Sequence, residues 1–204
     1  MITILGGYGN MGSRYGAILK KLGVDFLVAD INVPVDLKKT TGLIITTPTD
    51  SHLSDIERFH GLPILCEKPI SRYLSAIDRM KAWQIMGARV TMIDQYAHIK
   101  MGRRDVLRDT YYSSWHSGKD TLAWDCINII AKASDLSRVT INNTAPKGSW
   151  NCRINGKPLK LENMAQAYED MLVDWIGKKS NNLDYMIKAH EKVWEFKRKC
   201  EANT

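Results

Sequence analysis

The sequence predicts an α/β protein: a parallel sheet with helices on both faces in the first half, then a small α+β half. Short, nearly all-apolar segments alternate with amphipathic helical segments up to about residue 97. A glycine-rich run, LGGYGNMG, follows the first apolar segment and precedes the first helical one. Strands that are apolar on both faces are typical of parallel sheets covered on both sides.

Apolar, often β-branched segments predict five strands in the first half, at residues 2–5, 24–30, 42–48, 62–69 and 89–96. Apolar residues at helical spacing predict three helices between them, at 13–23, 50–61 and 71–87. In the second half, 121–133 suits a helix, although its paired isoleucines leave a strand possible. Further strands are predicted at 137–145 and 149–161, and amphipathic helices at 162–179 and 183–199. The Asn155-Gly156 pair indicates a hairpin.

Composition and charge exclude several classes of protein. No apolar run approaches the roughly 20 residues that cross a bilayer, and the N-terminus has no basic start, so a cytoplasmic protein without a membrane partner is predicted. Four scattered cysteines suit neither a zinc site nor a disulfide framework, and no metal is predicted. The net charge is +7, but its densest run, EFKRKCEANT, contains Glu195 and Glu201 and suits a solvated helix end better than a nucleic-acid surface.

The glycine-rich loop predicts a nucleotide site, because it follows a strand directly and opens a helix. Gly7 would allow a tight turn, Gly9 would let the backbone approach a pyrophosphate, and Gly12 would let the helix pack on the strand. The helix N-terminus would present N–H groups to the phosphates. The predicted cofactor site also includes the other residues of the loop, Tyr8, Asn10 and Met11. Residues 1–97 are therefore predicted to form a Rossmann-type dinucleotide-binding domain, and 98–204 a reduced α+β domain for substrate binding and oligomerisation.

Asp30 indicates which dinucleotide is bound. It ends the second predicted strand about 20 residues beyond the loop, where a carboxylate can accept hydrogen bonds from the adenosine ribose. The next two residues, Ile31 and Asn32, offer no cation for a 2′-phosphate. NAD is therefore favoured over NADP.

Two more motifs end predicted strands: Thr47, Pro48 and His52 in TTPTDSH, and Glu67 with Lys68 in CEKPIS. With the glycine loop, they resemble the glucose–fructose oxidoreductase and inositol dehydrogenase (Gfo/Idh/MocA-type) family, of which this chain looks like a compact member with a shortened C-terminal domain. The resemblance implies an NAD(P)-dependent oxidoreductase acting on a sugar, cyclitol or similar small hydroxy or carbonyl compound. It places the first motif and Glu67 beside the cofactor. Lys68, at a strand's carboxyl end, could stabilise negative charge on the reacting oxygen.

One family feature is missing. The family usually carries an Asp-x-x-x-His-like pair on a helix after a glycine-rich turn, and the similar segment here places Asn128 or Ile129 at the histidine position. An asparagine cannot exchange a proton near neutral pH. Asp125, Asn128 and the loop residue His116 are the predicted substitutes beside Lys68. A solvated polar face, or a histidine without function, is the alternative for these residues. A catalytically inactive dinucleotide-binding sensor or assembly protein is the alternative for the whole chain.

The second half also predicts a homo-oligomer. About 100 residues leave few strands to bury the face and edge of the sheet that contains the Asn155-Gly156 hairpin, and small isolated sheets are marginal in water. The interface is predicted at residues 138–161.

Overall fold

The computed structural model describes residues 1–30, 32–99, 110–114, 122–142, 144–147, 150–154, 157–158, 161–178 and 181–202. Contacts between residues divide the chain into a first unit, Met1–Ile93 with Leu172–Met186, and a second unit, Asp94–Met171 with Ile187–Thr204. The first division lies a few residues before the predicted boundary at 97. The return of a C-terminal segment to the first unit was not part of the prediction.

The first unit is built on a five-stranded parallel sheet of order β2-β1-β3-β4-β5. Its strands are β1 (Ile2–Leu5), β2 (Phe26–Ala29), β3 (Gly42–Ile45), β4 (Ile64–Cys66) and β5 (Val90–Met92). Its connecting helices are α1 (Asn10–Lys21), α2 (Thr49–Phe59) and α3 (Ala76–Ile85). Every residue of β3 and β4 is buried, as expected for strands covered on both faces. The predicted α/β fold is confirmed.

The strand order reverses at β1, and this reversal positions the glycine loop. Leu5, the last residue of β1, lies opposite Ala29 of β2 on one side and Ile45 of β3 on the other. Because all three strands are parallel, the segments that follow them leave the sheet side by side. Ligands of open α/β sheets bind at such a switch point, beyond the carboxyl ends of the strands.

Helix α1 follows the glycine loop, packs through one buried face, and ends close to the end of the predicted segment 13–23. Gly12, Tyr15 and Leu19 are its buried residues, at helical spacing. Gly23 has a φ of 67°, and its N–H donates to the carbonyl of Lys20 at 3.1 Å while the next N–H donates to Leu19 at 3.0 Å. This is a Schellman motif, which requires the left-handed conformation that glycine adopts most easily. The helix therefore ends at the C-terminal end of the predicted segment 13–23.

Asn182 covers the outer edge of β5 within the first unit. Its backbone N–H donates to the carbonyl of Val90 at 3.2 Å, and its side-chain amide donates to and accepts from the backbone of Met92, each at 2.8 Å. An unpaired strand edge is prone to pair with other chains, and this asparagine occupies it. Asn182 lies between α6 (Leu161–Lys178) and α7 (Leu183–Ala202), the two predicted C-terminal helices.

The second unit contains a mixed four-stranded sheet of order β7-β6-β8-β9. Its strands are β6 (Thr110–Ser114), β7 (Val139–Asn142), β8 (Trp150–Ile154) and β9 (Lys157–Pro158). The antiparallel pairing of β8 with β9 confirms the hairpin, although its turn at 155–156 lies outside the described residues. The helix predicted over 121–133 is instead two short helices, α4 (Leu122–Asp125) and α5 (Ile127–Lys132), which are separated at Cys126. Within the described part of the chain, no helix has the length and apolar character to cross a membrane.

Cysteine burial gives a direct test of this fold. Cys66, Cys126 and Cys152 are buried, whereas Cys200 is exposed. Burial raises the pKa of the Cys66 thiol well above its usual value and that of Cys152 to about 12. Because the thiolate is the reactive form, we expect a maleimide at pH ~8 to label Cys200 rapidly and the other three slowly. Unfolding should expose all four, and Cys200→Ser should remove the rapid phase. Rapid labelling of two or more cysteines in the native protein would contradict the packing described here.

Candidate functional site

A cavity of about 860 Å³ opens at the switch point, within the first unit. Such a volume accommodates a small-molecule ligand or cofactor. Six of the predicted cofactor residues line it: Gly9, Asn10, Met11, Asp30, Thr47 and Pro48. The other predicted residues of this unit do not line it: Gly7, Tyr8, Gly12, His52, Glu67 and Lys68. Sequence reasoning missed further lining residues, among them Gly6, Val33, Asp55 and Arg58.

In the glycine loop, Gly6 has the left-handed backbone conformation, and Gly7 is the second residue of a turn closed by the Gly9 N–H, which donates to the Gly6 carbonyl at 3.1 Å. Gly6 has a φ of 80°, and a Cβ there would lie 2.8 Å from the backbone nitrogen of Thr47. Gly7 also allows close packing on β2, since its Cβ would lie 2.6 Å from Val28 Cγ1. Gly12 lets α1 approach the loop: its Cβ would lie 2.5 Å from the carbonyl oxygen of Gly6. The two consecutive glycines at 6 and 7 are the feature of the sequence that indicates these two positions without room for a side chain.

The N-terminus of α1 faces the cavity without a cap. Gly9 is the N-cap residue and has no side chain that could cap this end, and Asn10 and Met11 line the cavity. The first N–H groups of a helix have no partner within the helix, and the helix dipole favours negative charge there. This end of α1 therefore suits an anionic group such as a phosphate.

Asp30 lies beside the same loop. Its Oδ2 accepts a long hydrogen bond, 3.4 Å, from the backbone N–H of Tyr8, whose own side chain is exposed. Its backbone pairs with Val33 through two hydrogen bonds of 2.8 and 2.9 Å. The carboxylate is thus fixed at the end of β2, on the side of the cavity where the chain turns back. This placement suits a carboxylate that accepts hydrogen bonds from a sugar hydroxyl.

An apolar segment and one stripe of α2 also line the cavity. The segment is Val33–Val35, and the stripe consists of Ser51, Asp55 and Arg58, at helical spacing. The guanidinium carbon of Arg58 lies 5.0 Å from the centre of the Phe59 ring, a cation–π arrangement. Arg58 is therefore a positively charged residue in the lining of the cavity, whereas the two residues that follow Asp30 are uncharged. The helical spacing of Arg58 from Ser51 and Asp55 is the feature of the sequence that places these three residues on one face of α2.

Two threonines after β3 hold the next wall in place. The Thr46 hydroxyl lies 2.9 Å from the carbonyl oxygen of Leu5 and 3.0 Å from that of Gly6, which binds the end of β3 to the glycine loop. The Thr47 hydroxyl donates to Asp55 Oδ2 at 2.7 Å, which binds the turn to α2. The turn that lines the cavity is therefore fixed from two sides.

Glu67 bonds within the protein, and Lys68 follows it at the carboxyl end of β4. Glu67 is 8% exposed; its Oε1 accepts from the hydroxyl of buried Tyr15 at 2.8 Å, and its Oε2 accepts from the backbone N–H of Lys68 at 3.1 Å. These bonds connect the Lys68 turn to helix α1. Lys68 is half-buried, and its bond to Pro69 is cis.

The second unit holds the other predicted catalytic residues. Asn128 is 1% exposed and donates to Gln95 Oε1 at 3.3 Å, so it does not lie on a solvated face. One helical turn later, Lys132 forms a largely buried ion pair with Asp94, with 2.7 Å between Nζ and Oδ2. Burial raises the pKa of the Asp94 carboxyl, and the lysine opposes that shift. Asp125 is half-buried at the end of α4. His116 lies outside the described residues.

Known structures share this fold, although the sequence matches no protein-family model and no curated protein. A Gfo/Idh/MocA family oxidoreductase from Vibrio cholerae is 11% identical, with a TM-score of 0.73 over 99% of this chain and 98% of that one. The WlbA (WbpB) dehydrogenase from Thermus thermophilus, in complex with NAD and UDP-GlcNAcA, is 15% identical, with a TM-score of 0.62 over 94% and 92%. A scyllo-inositol dehydrogenase from Lactobacillus casei, with bound NAD(H) and scyllo-inositol, is 14% identical, with a TM-score of 0.62 over 99% and 97%.

The sheet order and the cavity at its switch point define the first unit as a Rossmann-type α/β structure. The fold of the whole chain is similar to that of the Gfo/Idh/MocA oxidoreductases, as the motifs TTPTDSH and CEKPIS imply. At these identities the similarity establishes the fold. The alignments extend over 92–98% of the three known chains and give the predicted shortening of the second half no support.

Proposed function

We propose that this protein is an NAD-dependent oxidoreductase that transfers a hydride to or from a sugar, a cyclitol or a similar small hydroxy or carbonyl compound. The observation that carries the proposal is the cavity at the switch point, which joins an uncapped helix N-terminus to the carboxylate of Asp30. The similar dehydrogenases that hold NAD with a nucleotide sugar or with scyllo-inositol support the same substrate class. When bound, the nicotinamide supplies the acceptor or donor of the hydride.

The cofactor side of the site is assigned to the first unit. The N–H groups at Asn10 and Met11 would bind the pyrophosphate, and Asp30 would accept hydrogen bonds from the adenosine ribose. Thr47 and Pro48 form the next wall of the cavity. Glu67 acts indirectly, because its carboxylate already accepts from Tyr15 and from the Lys68 backbone.

On the substrate side, Lys68 is proposed to donate a hydrogen bond to the reacting oxygen. An ammonium group that bonds this oxygen stabilises the negative charge it carries when the hydride leaves or arrives. Asn128 can position a hydroxyl but cannot hold a proton, so Asp125 and His116 are the candidates for proton transfer.

A titration followed by a substrate screen tests the proposal. NADH is added to the protein while its fluorescence is followed, and NAD is then incubated with myo-inositol, scyllo-inositol, hexoses and sugar nucleotides. We expect saturable NADH binding and reduction of NAD with at least one compound. Binding without hydride transfer across a broad screen would favour the inactive dinucleotide-binding protein instead.

We expect NADH to bind more tightly than NADPH, because a 2′-phosphate would meet the carboxylate of Asp30. Asp30→Ala should narrow the difference between the two dissociation constants. Arg58 lines the same cavity, and Arg58→Ala tests whether its positive charge reduces the preference for NADH that Asp30 creates. Equal or tighter binding of NADPH by the unaltered protein would contradict the preference.

We also expect a homo-oligomer joined through residues 138–161. Within the described residues, β7 is an edge strand of the second unit's sheet, and it pairs only with β6. An edge strand of a sheet can pair with an edge strand of another copy. Light scattering at micromolar concentration measures the mass directly, and a monomer would contradict this expectation.

A further inference from the structure

His52 lies in the first turn of α2 and is 1% exposed. Its ring lies between two backbone carbonyl oxygens: Nε2 is 2.8 Å from that of Thr47, and Nδ1 is 2.8 Å from that of Pro69. Thr47 lines the cavity, whereas Pro69 follows Lys68 directly. One buried ring therefore joins the turn after β3 to the turn after β4.

The chemistry of these contacts fixes what the ring can do. A carbonyl oxygen only accepts, so each ring nitrogen must donate. A neutral imidazole carries one N–H and its protonated form carries two, so both hydrogen bonds form together only when both nitrogens carry hydrogen. Since both nitrogens are engaged with the backbone, His52 has no polar atom left for a cofactor. The prediction that it contacts the cofactor is replaced by a different role.

We propose that His52 is a positioning residue that couples the cofactor-side turn at Thr47 to the turn that carries Lys68. The inference rests on the proposed function, because it takes NAD to occupy the cavity beside Thr47. Other bonds tie each turn separately: the Thr47 hydroxyl donates to Asp55, and Glu67 accepts from the backbone N–H of Lys68. His52 connects the two. Order that the cofactor imposes at Thr47 is thereby passed to Lys68.

Amide hydrogen exchange with NADH as the probe tests the coupling without any substrate. In the unaltered protein, NADH should slow exchange both in the glycine loop, residues 6–12, and in residues 66–73. In His52→Ala, the loop should still be protected, while the extra protection of 66–73 should fall by about tenfold, the equivalent of the loss of one hydrogen bond. His60→Ala is the matched control, since His60 is exposed at the end of the same helix and bonds only the local carbonyl of Glu57 within the described residues.

Added imidazole provides a second readout that a purely structural role would not move. Imidazole can fill the space left in His52→Ala and, in its protonated form, donate to both carbonyls, so it should restore the protection of residues 66–73. 1-Methylimidazole has the same ring with one nitrogen blocked, and it should not restore it. His52→Gln, which can reach one carbonyl, serves if the alanine variant does not fold.

The outcomes separate the coupling from the proposed function. Protection of 66–73 that persists in His52→Ala, or that both imidazoles restore equally, would overturn the coupling and leave the proposed function standing. An unaltered protein in which NADH protects neither segment would overturn the proposed function and the coupling with it.

Discussion

Lys68→Ala is expected to lower turnover by about 100-fold or more, in the range found when one donor to a developing oxyanion is removed. The dissociation constant of NADH should stay nearly unchanged, because Lys68 does not line the cavity at the glycine loop. An effect on turnover without an effect on cofactor affinity is the signature of an interaction made with the reacting group. Steady-state rates on the best compound of the screen, with NADH titrations on the same protein, measure both.

Two further variants control the Lys68 experiment. Lys20→Ala removes an exposed lysine from the last turn of α1 and should leave both quantities unchanged. Lys68→Arg keeps the charge but replaces a compact ammonium by a planar guanidinium, so it should recover only part of the rate. Full activity of Lys68→Ala on the true substrate would show that the catalytic assignment is wrong.

Gly12→Ala is expected to have the largest effect on cofactor binding. The added Cβ would lie 2.5 Å from the carbonyl oxygen of Gly6 and from Gly7 Cα, which are backbone atoms that no side-chain rotation can move away. Overpacking of this kind should lower the free energy of unfolding by about 1–3 kcal/mol. Displacement of α1 from the loop should also weaken NADH binding by at least about tenfold, or about 1.4 kcal/mol.

Gly61→Ala is the matched control for Gly12→Ala. A Cβ at Gly61 would meet nothing within 4 Å, so both thermal stability and NADH affinity should be close to those of the unaltered protein. If Gly12→Ala bound NADH as tightly as Gly61→Ala, close packing between α1 and the loop would not be required for the site.

Much of the first unit follows from local sequence. The buried strands are short apolar runs, and the stop of α1 at Gly23 depends on residues within one turn of the helix. The cofactor loop and Asp30 were found because their spacing is set by a single strand–helix–strand unit. The two motifs at 47–52 and 67–68 added the neighbouring turns.

The rest depends on partners that lie far along the chain. Gly6 has no room for a side chain because the backbone of Thr47 approaches it, and the Glu67 carboxylate accepts a hydrogen bond from Tyr15, which is 52 residues away in sequence. Asn182 occupies the edge of β5, about 90 residues away in sequence, and a contact at this distance leaves no pattern in the spacing of apolar residues. Likewise, the break between α4 and α5 at Cys126 interrupts a segment whose apolar pattern is continuous.

A crystal structure of the protein grown with NAD tests the central claim most directly. We expect the pyrophosphate at the N-terminus of α1, beside the N–H groups of Asn10 and Met11, and the adenosine ribose within hydrogen-bond distance of Asp30. An empty cleft at saturating NAD, or a cofactor bound away from the glycine loop, would contradict it.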